Sequence, residues 1–279
     1  MSRTDASAAH LKVTLLLAST EQFRQVLAPA VVAAAPNTLL DIGAGRGEAT
    51  AALASAIGGM LISDSNPESQ TRTQSCANHA FGPRIGTVPA TGVTIMESAA
   101  EIRRKLTAER GYRAVASFQE LGAGERFGAV ALLNVLDRCN DPMGLLRAAV
   151  DALRPDGVLL VATVLPFCAM VYEGVKGKVG AHHPPTRALQ MPLGARCPMV
   201  KLGKDGDNYI GPDKTSALGR RPFVEHLTGF VAATVGTLPL RVAAWTRVPY
   251  LSSGTTEQTY YHLDNALLVL RRTTGSSEL

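Results

Sequence analysis

Three glycines in five residues, Gly43, Gly45 and Gly47, follow the apolar run Leu39-Leu40-Asp41-Ile42. Glycine lets a backbone come close to a ligand, and the amide N–H groups of such a turn then aim at it. A second acid, Asp64, comes about 20 residues on, where a carboxylate accepts hydrogen bonds from ribose hydroxyls in nucleotide-binding folds. An acid there also repels a 2′-phosphate. A dinucleotide dehydrogenase wants a small residue at position 48 to complete G-x-G-x-x-G, whereas this chain has Glu48. Further on, Asn134, Asp137 and Arg138 follow an apolar run, which puts hydrogen-bonding groups at the carboxyl edge where open α/β sheets bind ligands. The bland alternative is a strand-to-helix glycine turn with no cofactor, a strand-end cap at Asn134 and a loop acid paired with Arg138.

The elements that must hold these residues are readable in order. Glu21 to Ala30 reads as a helix, with Ser19 or Thr20 as its cap. Asn37 to Ile42 is a buried strand, and the alanine-rich stretch from Glu48 to Ile57 is a helix closed by Gly58-Gly59. Met60 to Ser63 reads as a second strand ending at Asp64. Residues 66–95 lose their pattern and read as an insertion. A helix at Ala99 to Arg110, a short strand near Tyr112 to Ala116 and a buried strand at Phe127 to Asn134 follow. Asp141-Pro142 opens a helix to about Leu153, with Asp as cap and Pro in the first turn. A turn at Arg154 to Gly157 leads to a fifth strand, Val158 to Leu165. From Pro166 to Arg221 the apolar pattern is lost, before a helix at Pro222 to Val235. The last two strands, Leu240 to Val248 and Tyr260 to Leu270, pair antiparallel, with Trp245 in the core. The whole is an α/β chain, 1–279, in one domain, with insertions at about 66–100 and 174–220.

Composition narrows the class further. With 46% hydrophobic and 18% charged residues the chain is globular, and no apolar stretch is long enough to span a membrane. The four cysteines are scattered, with no CxxC pair and no disulfide framework, and the histidine pair His182-His183 does not make a metal site by itself. We expect no metal. The net charge of +5 is mild. Its local excess runs from Lys176 to Arg221, where aromatic residues for base stacking are nearly absent, so a solvated loop is favoured over a nucleic-acid groove. A monomer is expected, in the cytoplasm by default, or with an organelle or endomembrane if an upstream targeting segment precedes Met1.

The glycine spacing after Asp41 resembles motif I of the class I S-adenosylmethionine-dependent methyltransferases. Longer blocks narrow the likeness. They are Ser19-Thr-Glu-Gln-Phe23, Leu39 to Thr50, Leu133-Asn-Val-Leu-Asp-Arg-Cys-Asn-Asp-Pro142, Val164-Leu-Pro-Phe167, Arg247-Val-Pro-Tyr-Leu251 and Tyr260 to Leu270. On these the chain resembles the DREV-type, or methyltransferase-like-nine, family, whose members methylate the pros nitrogen (N1) of histidine in proteins. Arg46 departs from the family, which usually has an acid there, and the segment after Phe167 lacks the family's aromatic and acidic pattern.

The resemblance implies a Rossmann-like class I fold, a mostly parallel seven-stranded sheet with an antiparallel terminal strand pair. It implies S-adenosylmethionine as cofactor and S-adenosylhomocysteine as product. Asp41 would lie near the amino acid part of the cofactor and Gly43, Gly45 and Gly47 against its methionine and ribose portions, with Asp64 and Asn134 also on the cofactor side. The partner is a histidine-containing protein or peptide, often with a His-x-His motif. Methyl transfer to imidazole needs a neutral ring with the correct nitrogen free. Asp137, accepting from the tele N–H, is the candidate for setting that tautomer, with Asn134 as a second polar group. Arg138, Tyr250, Tyr260 and Tyr261 complete the expected substrate side, though an aromatic cluster on the terminal hairpin would use the tyrosines equally well. Two other readings stand beside this one: a class I methyltransferase for a small molecule or nucleic acid, and a catalytically silent cofactor-binding scaffold.

Overall fold

A computed structural model describes residues 17–31, 36–65, 92–168, 171–172, 182–183, 222–253 and 260–273. The helices are α1 (Thr20–Leu27), α2 (Glu48–Ser65), α3 (Ala100–Arg110), α4 (Pro142–Asp151) and α5 (Phe223–Ala233). The strands are β1 (Thr38–Ile42), β2 (Gly92–Met96), β3 (Arg113–Val115), β4 (Phe127–Leu133), β5 (Leu153–Val164), β8 (Leu240–Ser253) and β9 (Tyr260–Arg272), with a separate ribbon of β6 (Val171–Tyr172) and β7 (His182–His183).

Local chemistry sets the helix ends. Ser19 and Gln22 form a reciprocal capping box at the start of α1: Gln22 N–H donates to Ser19 Oγ and Ser19 N–H donates to Gln22 Oε1. Asp141 accepts from Gly144 N–H at 2.9 Å to start α4, with Pro142 in the first turn. Gly111, at φ 68°, ends α3 in the left-handed conformation.

The sheet runs β3-β2-β1-β4-β5-β9-β8. β1 to β5 are parallel, and β9 is antiparallel to both β5 and β8. This is the expected mostly parallel sheet with its antiparallel terminal pair. Strand order reverses between β1 and β4, so the loops after these two strands part and leave a crevice at the carboxyl edge.

Both faces of the sheet are covered, which is why its central strands are near-continuously apolar. Leu39, Ala131, Leu160, Ala162 and Leu267 pack with Phe23 and Leu27 of α1 and Leu53 and Ile57 of α2. Alternate residues Leu40, Leu132, Val161 and Leu268 pack on the other face with Leu146 and Val150 of α4 and Leu227 and Phe230 of α5. Phe167, just past β5, stacks on Phe230 with ring centroids 5.3 Å apart.

Several expectations are corrected here. Met60 to Ser63 is not a strand: α2 continues through Gly58-Gly59 to Ser65. Gly59 does not end the helix, which runs on past it to Ser65 with the tip of the Arg24 side chain of α1 lying over it. The second strand is Gly92–Met96, inside the stretch expected to be an insertion, and pairs with β1 from Thr38↔Gly92 to Ile42↔Met96. Residues 66–91 lie outside the described residues, as does 174–220 apart from His182–His183. The turn at Arg154 to Gly157 is an irregularity within β5, where pairing jumps from Phe127↔Leu153 to Ala129↔Val158. Trp245 is 46% exposed, because β8 is the last strand of the sheet and α5 leaves this part of its face uncovered. A second irregularity interrupts β8 between Val242 and Ala244. Cys139 is a free thiol, whereas Cys168 is disulfide-bonded to a partner outside the described residues, against the expectation of no disulfide. No described helix is long and apolar enough to cross a membrane.

Phe230→Ala should cost about 3–5 kcal/mol, since it deletes a fully buried ring and leaves Phe167 facing a cavity. Urea unfolding followed by circular dichroism checks this; a loss below about 1 kcal/mol would mean that α5 is not a fixed part of the core.

Candidate functional site

The glycine turn closes the carboxyl end of β1. Gly43, Gly45 and Gly47 have φ of 73°, 52° and 80°, where a side chain is strained. Two of them are also pressed against neighbours: a Cβ on Gly43 would meet Val135 Cγ2 at 2.6 Å, and one on Gly47 would meet Leu106 Cδ2 at 2.7 Å. Gly43 N–H donates to Met96 O at 2.7 Å, tying the turn to the end of β2. Gly45 differs, since a Cβ there would meet nothing within 4 Å among the described residues. The turn is thus clamped at both ends and open in the middle. Arg46 is exposed and lies 3.8 Å from Glu48, which keeps its charge away from the acids below.

Asp41 sits under this turn, 1% exposed, and its Oδ2 accepts from the Thr50 hydroxyl. Its Oδ1 is buried with no described partner. Burial pushes the Asp41 carboxyl up to about 6; the Thr50 bond opposes the shift and the Glu97 charge adds to it. Glu97, the first residue past β2, is a site residue that sequence reasoning misses. It is 7% exposed; its Oε2 accepts from Gly45 N–H at 3.2 Å and its Oε1 from Ala99 N–H at 3.1 Å. Glu97 holds the place at the end of the second strand that the sequence assigns to Asp64. Asp64 instead lies in the last turn of α2. The usable signal is the short run Val93 to Met96 followed by an acid, masked by a nearer apolar run that also ends in one.

The loop after β4 supplies the other half. Asn134 is the described non-glycine residue with a left-handed backbone, φ 56°, and its N–H donates to Ala162 O at 2.9 Å. Leu136, fully buried, anchors the single 3-10 turn Leu136–Arg138 that carries Asp137. The Asp137 side chain is 15% exposed and its Oδ2 lies 3.7 Å from Arg138 Nε. The pairing with Arg138 that belongs to the bland alternative is therefore present, but the acid is largely buried and not a surface group. Burial raises the Asp137 carboxyl above its ordinary range, with Arg138 opposing. Asn134 Oδ1 and Asp137 Oδ1 are both buried without a described partner.

Two further buried groups at this edge carry no signal in the sequence. Leu133 pairs with Ala162, so Asn134 comes beside Thr163, which is fully buried and whose hydroxyl has no described partner. Asn265, level with Val164, is fully buried, and neither of its amide atoms has a described partner. A buried polar atom with no partner costs about 1–3 kcal/mol, so such a cluster at one edge marks a place built for a polar ligand. Tyr250, Tyr260 and Tyr261 lie on the outer part of the β8–β9 hairpin, opposite Leu263, Ser253 and Ser252.

Two outcomes are expected. Asn134→Ala should lose about 1 kcal/mol of stability through its positive φ while Asn134→Gly stays within about 0.5, yet both should lose activity; thermal melts beside rate assays separate backbone from side chain. For Asp41 the folded value lies above the unfolded one, so its contribution favours folding below about 4 and is lost as pH rises to about 6. Asp41→Asn should therefore raise the Tm of the unliganded protein at about pH 7, flatten its pH dependence between about 4 and 6, and weaken cofactor binding in calorimetry. A lower Tm at that neutral pH would contradict this.

The donors and acceptors fit a nucleoside that carries an amino acid. Glu97 would take the ribose hydroxyls, the free Asp41 Oδ1 an ammonium group, and the open face of Gly45 the close approach of the ligand. Solved structures similar to this chain include one from echinomycin biosynthesis concerned with converting a disulfide bond into a thioacetal group, at 16% identity and TM-score 0.46, covering 91% of this chain and 82% of the other. Another is the 1,6-didemethyltoxoflavin-N1-methyltransferase of Burkholderia thailandensis, at 17% identity and TM-score 0.43, covering 92% and 79%. These are distant likenesses and carry nothing over about substrate. The DREV methyltransferase family model matches residues 1–192, which include the glycine turn, Glu97 and the Asn134–Asp137 loop. The chain belongs to the DREV methyltransferase family, with S-adenosylmethionine as its cofactor.

Proposed function

We propose that this methyltransferase modifies proteins, placing a methyl group on the pros nitrogen (N1) of histidine in a His-x-His-type motif. The observation that carries this reading is the Asp137 carboxylate. It is buried, keeps one oxygen unpartnered among the described residues, and stands beside Asn134 in a loop packed through Val135 onto Gly43.

S-adenosylmethionine, when bound, supplies a methyl group on a positively charged sulfonium. Asp41 with Gly43, Gly45 and Gly47 would hold its amino acid end, and Glu97 its ribose. Asp137 accepts a hydrogen bond from the tele N–H of the incoming histidine. That bond fixes the neutral tautomer and leaves the pros lone pair free. Asn134, held on the cofactor side of the same loop by its left-handed backbone, limits how the ring can turn. With the methyl donor bound, the pros nitrogen would take the methyl group as the sulfonium leaves as a neutral thioether, and the ring would become an imidazolium. Asp137 stabilises that cation, and the tele proton goes to solvent after release. Arg138, paired with Asp137, opposes the rise that burial imposes on this carboxyl. Tyr250, Tyr260 and Tyr261 belong to the peptide-binding side in this reading.

The test uses labelled S-adenosylmethionine, a His-Ala-His peptide and the same peptide with both histidines replaced. Wild type should label only the histidine peptide, and hydrolysates should contain pros-methylhistidine. Asp137→Ala should lower the rate by about 10²–10⁴-fold with little change in cofactor affinity. The wild-type rate should also fall toward acid pH, because protonated Asp137 can no longer accept from the ring and the substrate imidazole becomes a cation. A wild-type protein that binds cofactor but labels no histidine sinks the proposal.

A further inference from the structure

We infer that the substrate peptide binds by adding a strand to the inner edge of β9 at Tyr260–Leu263, which no described strand covers, in line with β5 and next to the Asn134–Asp137 loop. The inference rests on the protein-histidine reading above and specifies how the peptide backbone is held.

The hairpin is longer than the sheet it belongs to. β9 pairs with β8 from Tyr260↔Ser253 onward, but with β5 only between Asn265↔Val164 and Arg271↔Val158. The pairs from Pro249↔Asp264 to Ser253↔Tyr260 therefore project past the end of β5. In an antiparallel strand the N–H and C=O of one residue point to the same edge, and successive residues alternate. Asp264 O accepts from Leu165 N–H at 2.9 Å, so Asp264 faces the β5 side. By alternation His262 and Tyr260 face that side too, while Leu263 and Tyr261 bond β8. Pro249 checks this independently: it has no N–H and sits opposite Asp264, where the alternation requires no bond from it.

No described strand continues the line of β5 beyond Leu165, and β6 comes against the 3-10 turn that carries Asp137. The chain turns at Pro166 and buries Phe167 against Phe230 of α5, leaving the sheet toward that helix. Among the described residues no strand pairs with the inner edge of Tyr260–Leu263. The overhang is braced: Arg247 donates to Asp264 Oδ1 from Nη2 at 2.6 Å and from Nε at 3.0 Å, and its guanidinium lies 4.8 Å from the centre of the Phe223 ring in α5. On the far side of that line stands the β4 loop, since Asn134 follows the Leu133↔Ala162 pair. A peptide strand taking this line would have β9 about 4.8 Å away on one edge and the catalytic loop on the other.

Strand addition also suits the motif. Residues i and i+2 of a strand share one face, so two histidines separated by one residue are presented together. Main-chain pairing reads no sequence, which lets a short motif be accepted in varied surroundings.

The test is a backbone N-methyl scan of the His-Ala-His peptide and its flanking residues, assayed with the wild-type protein, so that folding of a variant is not at issue. Each N-methyl group removes one amide donor and leaves every side chain in place. We expect a two-residue alternation in kcat/KM: positions of one parity fall about five- to tenfold, carried by KM, and those of the other parity change less than about twofold. A flat profile, or a uniform fall without alternation, overturns strand addition while methylation of the parent peptide leaves the histidine reading standing. A flat profile is also the result if a segment of this chain outside the described residues already occupies the edge. If the parent peptide is not methylated at all, both proposals fall together.

Discussion

A hydrogen atom at Gly43, in place of any side chain, holds the two halves of the site together. A Cβ there would stand 2.6 Å from Val135 Cγ2, and the backbone is at φ 73°. β1 and β4 are neighbours in the sheet, so their ends are fixed in register, but register alone does not bring the following loops into contact. Val135 does that by packing onto Gly43 from the far side of the crevice. The same glycine's N–H bonds Met96 O, which brings the end of β2, and with it Glu97, to the same point. The glycine turn, Glu97 and the Asn134–Asp137 loop thus meet at one edge, as a site requires when its groups must hold position without help from the ligand.

That edge is costly to fold. Asp41 is almost wholly buried, and Asn134, Asp137, Thr163 and Asn265 each bury at least one polar atom without a described partner. The amino end of the sheet has little of this: Arg272 Nη2 donates to Val150 O and Leu153 O, although its Nε lacks a described partner. The apolar layers on both faces supply the excess stability that lets one edge stay polar and strained.

The parts of this edge that are local in sequence were legible in it. The glycine turn, the strand before it and the Asp141-Pro142 helix start each follow from neighbouring residue types, and β4 is an uninterrupted apolar run. Glu97 was hidden because its strand is short and follows an unpatterned stretch, while the tail of α2 imitates a strand that ends in an acid. Gly58-Gly59 misled for a related reason: glycine as a helix stop and glycine inside a helix look alike until α2 is seen running on to Ser65. Thr163 and Asn265 carry no pattern of their own, and only strand register sets them beside the site. Trp245 was expected in the core on residue type, but its burial depended on sheet order, which residue type does not encode.

The last strand of the sheet has another duty. β8 is long, and its outer edge is the kind of template on which a second chain can zip. Two features already described interrupt it: the irregularity at Val242–Ala244 near one end and Pro249 toward the other. Because Pro249 would otherwise direct its N–H away from β9, the donor it lacks belongs to that outer edge. The ladder available to a neighbour is broken at both ends, which works against sheet-to-sheet joining of crowded copies of this chain.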